Sequence, residues 1–199
     1  MGAVLTARRI GLFGGTFDPP HLAHLALARQ ALADLALDEL RWIPAGQPYQ
    51  KTRAITPALH REAMVRAAIA GEPRFVLERC ELERAGPSYT IDTVRALQAR
   101  EPGCDWFLLI GADQYAGLHS WRDWRELLGR VTLAVAGRPG AATGDDAVRR
   151  VPVVPVALPP MDVSATVIRA RAAAGEPITD LVPPGVASYI DRHHLYVPG

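Results

Sequence analysis

The sequence predicts an α/β protein in which helices flank a mainly parallel sheet. Short apolar runs that are typical of buried strands alternate along the chain with longer segments of helical periodicity. The first run, Ile10–Phe13, passes through Gly14-Gly15 into a helical segment, as in α/β proteins that bring backbone N–H groups up to a ligand. The 199 residues, 49% of them hydrophobic, suffice for one well-buried core and are few for two. We therefore expect a single Rossmann-like domain over residues 1–199, with a helical C-terminal part from about residue 163 packed on it.

The strands are predicted from short apolar runs between turn signals. Asp105–Ile110 (DWFLLI) is the clearest, because it is continuous, apolar and short, as in strands that are covered on both faces. Pro152 and Pro155 place the last strand at an edge, since proline cannot donate to a strand ladder. Cys80–Glu83 is predicted to be a further extended piece at an edge. The full set of strands is Ile10–Phe13, Glu39–Pro44, Arg74–Leu77, Asp105–Ile110, Val131–Ala136 and Val151–Leu158.

The helices are predicted from apolar residues at helical spacing and from their boundary residues. Thr56 is predicted to cap the helix that Pro57 starts, because a hydroxyl oxygen accepts a free N–H of the first turn. Gly86–Tyr89 and Pro102-Gly103 are turns that bound another helix. The predicted helices run to about Leu35 after the first strand, from Pro57 to Ala68, over Thr90–Arg100, within His119–Leu128, and over Ser164–Ala174 and Pro184–His194. Ala45–Ala54 and Gly137–Asp146 are predicted to be loops.

Three polar or glycine-containing segments follow predicted strands directly. They are the segment from Gly14, the loop Pro44–Lys51, and Gly111–Asp113. Ligands of parallel α/β sheets bind at the carboxyl ends of the strands. The sequence therefore predicts a binding site where these three segments converge.

Composition excludes several classes of protein. A net charge of +1 gives no overall field for nucleic acid or anionic lipid. Cys80 and Cys104 are isolated and lack metal-site spacing, which favours a reducing compartment. No apolar run approaches the ~18 residues of a membrane helix, and the N-terminus lacks a signal-peptide pattern. We expect a cytoplasmic protein that binds neither nucleic acid nor membrane; homo-oligomerisation stays open.

Two histidines stand at the start of the first helix. His21 and His24 are three residues apart, so they share one face, and Pro19 and Pro20 suit a helix start. Such a pair could contribute to a zinc site, but neither an HExxH motif nor a cysteine cluster accompanies it. Imidazoles beside the positive end of a helix dipole suit a polyphosphate better. We expect an anion site and no metal ligand here.

A second helix start carries hydroxyl groups and an arginine. Ser164 is predicted to cap the helix, Thr166 lies within its first turn, and Arg169 is one turn further on. On local sequence alone, an ordinary capped helix with a surface arginine is the simpler interpretation. Together with the histidine pair, hydroxyls, N–H donors and a guanidinium favour a second phosphate clamp.

Both motifs resemble those of one superfamily. GGTFDPPHLAH, residues 14–24, is similar to the GGTFDPxHxGH signature of the nucleotidyltransferases that share the (H/T)xGH motif, with Ala23 in place of the usual glycine. VSATVIR, residues 163–169, is similar to their ISSTxIR motif, with Val163 and Ala165 as departures. The resemblance implies a nucleotidyltransferase-type α/β fold.

Further segments resemble bacterial nicotinate-mononucleotide adenylyltransferases. Tyr49 and Gln50 depart from their PxxxPPHK loop, so only Lys51, the single lysine, carries over from it. The matches run in the family's order from Gly11 to Arg169. The matching segments are Pro44–Lys51, the PSYT segment in Gly86–Thr93, the IGAD segment in Leu109–Asp113, His119-Ser120-Trp121 and the C-terminal PPGVASYIDRHHLY.

The resemblance implies adenylyl transfer from ATP to nicotinate mononucleotide in NAD biosynthesis, with deamido-NAD and pyrophosphate as products. Mg²⁺ would be bound through the ATP phosphates, and Asp18 would orient the loop or the histidines. The implied catalytic residues are His21, His24, Arg169 and Lys51. The implied ATP-binding residues are Gly14, Gly15, Thr16, His21, His24, Gly111, Asp113, Ser164, Thr166 and Arg169. The implied mononucleotide-binding residues are Lys51, Tyr89, Thr90 and Trp121.

Alternative interpretations stay open at this point. The acceptor could be nicotinamide mononucleotide or phosphopantetheine, the reaction a cytidylyl transfer, or the protein a non-catalytic nucleotide sensor. Taken singly, Trp121 and Trp124 are more often core residues, Asp113 could cap a helix and Tyr89 could be packing. Trp106, inside a buried strand, is assigned to the core.

Overall fold

Among the residues that the structure describes, the sheet has six strands, and every pairing in it is parallel. A computed structural model describes residues 6–48, 54–137, 148, 150–158 and 161–197. The strands are β1 (Arg9–Gly15), β2 (Glu39–Pro44), β3 (Phe75–Leu77), β4 (Asp105–Ile110), β5 (Thr132–Ala136) and β6 (Val154–Val156). Their spatial order is β3-β2-β1-β4-β5-β6. The chain winds outward from β1 to β3, returns to β4 beside β1, and winds outward again, so the switch point lies between β1 and β4.

Helices lie on both faces of this sheet. They are α1 (Leu22–Asp34), α2 (Ala58–Ile69), α3 (Cys80–Glu83), α4 (Thr90–Arg100), α5 (Ala112–Ala116), α6 (Trp124–Arg130), α7 (Ala165–Ala173) and α8 (Pro184–Arg192), with a 3-10 turn at Leu118–Ser120. The predicted bounds of β4 and α4 are confirmed, and β6 lies at the edge, as its prolines indicate. None of the described helices is long and apolar enough to cross a membrane.

Two details of the prediction are wrong. Cys80–Glu83 is the helix α3 rather than an extended edge piece. Its backbone bonds close locally, Leu82 N donating to the carbonyl of Arg79, and an Arg79–Glu83 ion pair of 2.8 Å spans the turn. Thr56 does not cap α2: Pro57 stands at that position, and the carbonyl of Thr56 accepts from Nε of Arg61 instead.

Each face of the sheet has its own hydrophobic cluster. Successive strand side chains point to opposite faces, so Leu12 and Ile110 belong to one cluster, which α4, α5 and α6 cover. Phe13 and Trp42 belong to the other, which α1, α2, α7 and α8 cover. Trp106 is buried in the first of these clusters, as expected for a core residue. The C-terminal helices and the segment between them contribute to the second cluster through Ile168, Ile178, Leu181, Val182, Val186 and Ile190.

Candidate active site

The site lies at the carboxyl ends of β1, β2 and β4, around the switch point of the sheet. β1 ends at Gly15, and β4 leads directly into Gly111, which caps α5. Ala45 N donates to the carbonyl of Gly15 (2.9 Å), so the ends of β1 and β2 stay paired. The structure thus brings together the start of each of the three segments that the sequence indicates, whereas Lys51 lies outside the described residues.

The loop after β1 is fixed by the burial of Phe17. The Phe17 backbone is left-handed (φ 49°), and its ring packs against Phe13 and Trp42 with centroids 5.5 and 5.2 Å away. The ring folds back over Gly15, where an added Cβ would lie 2.9 Å from Cζ of Phe17. Position 15 therefore requires glycine, and the backbone of Thr16 is left at the strand end, where a ligand of such a sheet binds.

His21 and His24 form a stacked pair at the start of α1. Their ring centroids are 3.6 Å apart with an interplanar angle of 25°. His21 N donates to Nδ1 of His24 (3.1 Å), so a neutral His24 carries its proton on Nε2. The imidazole of His24 also lies against Phe13 and Phe17, with ring centroids 5.9 and 5.2 Å away. The backbone bond and the aromatic neighbours fix the orientation of His24 and leave its Nε2–H as a donor.

Burial keeps both imidazoles neutral. It lowers the pKa of His21 from 6.5 to about 4, and it lowers the pKa of His24 well below its ordinary value, with a further contribution from the charge of His21. Nδ1 of His21 is buried and makes no hydrogen bond within the described part of the chain. The pair is therefore a neutral hydrogen-bonding unit, and an anion beside it would raise both pKa values.

Arg169 joins the second motif to the first. Its Nη1 donates to the main-chain carbonyl of Asp18 (2.9 Å), across 151 residues of sequence, and its Nη2 donates to Oγ1 of Thr166 (3.2 Å). Ser164 caps α7, as predicted, because its Oγ accepts from Val167 N (3.3 Å). The structure thus places the hydroxyl and guanidinium groups of α7 beside the loop that leads into the histidine pair.

Asp18 is a buried junction that sequence reasoning only partly anticipates. Its side chain is 2% exposed; Oδ1 accepts from the hydroxyl of Tyr196 (2.8 Å) and Oδ2 from Thr56 N (3.4 Å). Burial and the nearby carboxylate raise the pKa of Tyr196, so its hydroxyl stays protonated and donates. Tyr196 thus contacts the loop after β1, a contact that the sequence analysis misses because its partner is 178 residues away.

Arg61 is the second residue that the sequence analysis misses. Its guanidinium, 1% exposed, donates to the carbonyls of Thr16 (2.9 Å), Thr56 (2.9 Å) and Gly46 (3.3 Å). It thereby ties the loops after β1 and β2 to α2. The sequence contains a pattern that indicates this role. Arg61 shares helical spacing with Met64, Val65 and Ala68, so an arginine lies on the buried face of α2.

The turn before α4 is attached to the loop after β2. Oγ of Ser88 accepts from Gly46 N (3.0 Å) and Gln47 N (3.3 Å). Gly46 has no room for a side chain, since a Cβ would lie 2.1 Å from the carbonyl oxygen of Glu81. Tyr89 caps α4 and Thr90 begins it. Both residues are therefore held next to the ends of the central strands.

Trp121 is positioned by packing between α4 and α6. It is half-buried against the hydrophobic cluster that α4 and α6 cover, as is Tyr89. Arg95 of α4 pairs with Asp92 (3.1 Å), Asp123 (3.4 Å) and Glu126, which fastens the segment after Trp121 to the first turns of α4. Tyr89, Thr90 and Trp121 therefore lie close together, and two of them also pack against the hydrophobic cluster.

Gly111 and Asp113 lie at the start of α5. Gly111 N donates to Oε1 of Gln114 (3.1 Å), and Gly111 rather than Asp113 holds the capping position. Asp113 is exposed in the first turn, on the helix that follows β4. Its carboxylate is available at the strand end, next to the switch point.

The arrangement is rich in hydrogen-bond donors. Two neutral imidazoles, the guanidinium groups of Arg61 and Arg169 and the backbone of a glycine turn border the same loop, which suits an anionic ligand. Within the described ranges, no group of three or more histidine, cysteine, aspartate or glutamate residues is arranged to hold a metal ion. The described side chains around the loop thus offer hydrogen-bond donors to an anion.

Comparisons with known proteins agree on one family. Residues 12–171 match the cytidylyltransferase-like family. A protein of Methylibium petroleiphilum named "Probable nicotinate-nucleotide adenylyltransferase" is 55% identical over 96% of this chain and 93% of its own length. A protein of Albidiferax ferrireducens with the same name is 47% identical over 95% of this chain and 98% of its own.

A solved structure shares the fold. Nicotinic acid mononucleotide adenylyltransferase of Plasmodium falciparum, complexed with NaAD, superposes with a TM-score of 0.77 at 20% identity. The superposition covers 95% of this chain and 97% of that one. The predicted α/β fold with a parallel sheet is confirmed.

The buried histidine pair predicts a pH-dependent stability. In the unfolded chain, His21 takes up a proton near its ordinary pKa of 6.5, whereas in the folded protein it does so only at about 4. The contribution of His21 to the free energy of unfolding is therefore constant above pH 6.5. It is lost as the pH falls toward 4, by roughly 3 kcal/mol in total. Urea unfolding across this range should show a shallower pH slope for His21→Gln than for wild type; equal slopes would contradict the burial of a neutral imidazole.

The hydrogen bond from Tyr196 to Asp18 predicts that Tyr196→Phe lowers the free energy of unfolding. The variant removes the hydroxyl that donates to a buried carboxylate, so the free energy of unfolding should fall by about 2 kcal/mol. Urea denaturation measures this. Tyr189→Phe is the matched control, since the Tyr189 hydroxyl lies 3.0 Å from Nδ1 of half-buried His60 and should cost about 1 kcal/mol or less. In an Asp18→Asn background the cost of Tyr196→Phe should shrink; an undiminished cost would show that Tyr196 acts elsewhere.

Proposed function

The chain belongs to the nicotinate-nucleotide adenylyltransferases, within the cytidylyltransferase-like family, and from this premise we propose how its own residues carry the reaction. The enzyme transfers the adenylyl group of ATP to nicotinate mononucleotide, which gives deamido-NAD and pyrophosphate in NAD biosynthesis. The observation that carries the residue assignment is the bond from Arg169 to the Asp18 carbonyl, because it supports a shared triphosphate site for both motifs.

The chemistry requires positioning and charge neutralisation rather than a protein nucleophile. A phosphate oxygen of the mononucleotide attacks the α-phosphorus of ATP in line, the bond to the bridging oxygen breaks, and pyrophosphate leaves with that electron pair. Negative charge grows on the bridging and leaving oxygens, and hydrogen-bond donors already aimed at them lower the barrier.

The triphosphate is held at the loop after β1. The backbone of Gly14, Gly15 and Thr16 approaches the phosphates, and His24 donates from Nε2, the nitrogen left after Nδ1 accepts from the backbone. His21 stacks on His24 and gains a proton more readily once polyphosphate is bound, whereas His24 stays neutral because its Nδ1 accepts from His21 N. His21 thus adds positive charge when the ligand supplies the negative charge.

The leaving end of the triphosphate is held by α7. Ser164 and Thr166 begin this helix, and Arg169 is already oriented by the carbonyl of Asp18. A guanidinium fixed in advance stabilises departing pyrophosphate without a cost of reorganisation. Lys51 is assigned to neutralisation of phosphate charge by the family pattern alone.

The remaining residues bind the adenosine of ATP and the pyridine ring of the mononucleotide. Gly111 and Asp113 contact the adenosine portion from the end of β4, and Tyr89, Thr90 and Trp121 hold the pyridine ring. Aromatic rings beside a helix start suit a flat ring that carries an anionic substituent.

Mg²⁺ fits this site through the ATP phosphates and water. The carboxylate of Asp18, the acidic group of the loop, is buried and already accepts two hydrogen bonds, so it is not offered to a metal. When bound, Mg²⁺ supplies positive charge to the triphosphate. His21, His24 and Arg169 would donate hydrogen bonds to phosphate oxygens.

A pyrophosphate-release assay tests the assignment. With ATP and, in turn, nicotinate mononucleotide, nicotinamide mononucleotide and phosphopantetheine, turnover should be best with the first. His24→Ala should lower turnover at least about a hundredfold at unchanged folding, because an oriented donor to the phosphates is lost.

The matched control is His119→Ala, which changes an exposed histidine outside the loop and should leave turnover unchanged. Best activity with phosphopantetheine would overturn the assigned acceptor. Near-normal turnover of His24→Ala would overturn the histidine site, and no pyrophosphate with any acceptor would indicate a nucleotide sensor.

A further inference from the structure

We propose that Arg122 selects the anionic nicotinate ring over the neutral nicotinamide ring. The inference rests on the proposed function, in which Tyr89, Thr90 and Trp121 hold the pyridine. Nicotinate and nicotinamide mononucleotides share the ring, the ribose and the phosphate, and differ by one negative charge on the ring substituent. A residue that distinguishes them must therefore respond to that charge.

Arg122 is placed beside both segments of the pyridine site. It follows Trp121 directly in the chain, and its guanidinium carbon lies 4.8 Å from the centroid of the Tyr89 ring. Tyr89 in turn caps α4, so Thr90 begins the helix next to this stacked pair. The stacking on Tyr89 holds a flexible side chain over the ring face, which lowers the entropy lost when it binds a ligand.

The charge of Arg122 is only weakly compensated. Its nearest carboxylates, Asp92 and Asp123, are each 3.9 Å away, at the outer limit of an ion pair. Both carboxylates lie closer to Arg95, at 3.1 and 3.4 Å. Within the described part of the chain the guanidinium of Arg122 forms no hydrogen bond, so its N–H donors are available to a further anion.

A guanidinium distinguishes the two ring substituents by geometry as well as by charge. The carboxylate of nicotinate accepts two parallel N–H bonds from the planar fork of arginine. The carboxamide offers one acceptor oxygen, and its amino group would place its own N–H donors against the N–H donors of the guanidinium. The side chain of Arg122 is 53% exposed, so screening by water and salt keeps the discrimination moderate.

The test compares kcat/KM for the two mononucleotides. In Arg122→Gln, the preference for nicotinate mononucleotide should fall about fivefold, entirely through loss with that substrate. Arg122→Lys should retain part of the preference, because it keeps the charge and loses the fork. Raised salt should lower the wild-type preference and leave that of Arg122→Gln unchanged.

The matched control is Arg125→Gln. Arg125 is also an exposed arginine stacked on an aromatic ring, 4.5 Å from the centroid of Trp124, and it should leave the preference unchanged. Equal losses with both mononucleotides would overturn the proposal, since they would indicate a contact with the shared phosphate or a structural defect. An unchanged ratio would overturn it as well. A wild-type enzyme that used neither mononucleotide would instead refute the proposed function, and this inference with it.

Discussion

The buried carboxylate of Asp18 is the constraint on which the site depends. It accepts hydrogen bonds from Tyr196 near the C-terminus and from Thr56 before α2, and the carbonyl of the same residue accepts from Arg169 on α7. A buried charge is tolerated only when it is hydrogen-bonded. The conformation of the loop after β1 therefore depends on contacts with the C-terminal part of the chain. We expect this loop and the second motif to fold together.

The electrostatic character of the site follows from the same burial. His21 and His24 are neutral, so the positive charge beside the loop comes from the guanidinium groups of Arg61 and Arg169, opposite the buried carboxylate of Asp18. Such a site has many oriented donors and little uncompensated charge before its ligand binds. A polyanion then raises the pKa of the imidazoles and completes the charge balance. Adenylyl transfer, which depends on orientation and charge neutralisation, matches this character.

Sequence patterns predict the parts of this protein whose causes are local. The helix Thr90–Arg100 is found with its bounds, because turn residues delimit it on both sides. Cys80–Glu83 is assigned to the wrong class, since four residues carry too little periodicity to separate a helix from a strand. The predicted cap at Thr56 is wrong because the helix begins one residue later than predicted, at Ala58, which puts Pro57 at the capping position. Arg61 and Tyr196 are missed as site residues, because each acts on loops that the sequence places far away.

The central claim is that the loop after β1 and the start of α7 form one triphosphate site. A crystal structure with a non-hydrolysable ATP analogue and nicotinate mononucleotide tests it most directly. The account predicts phosphate oxygens within hydrogen-bond distance of His24 and Arg169 together, with the hydrogen bond between Asp18 and Tyr196 retained. A triphosphate that contacts only one of these two side chains, or that lies at the amino ends of the strands, would contradict it.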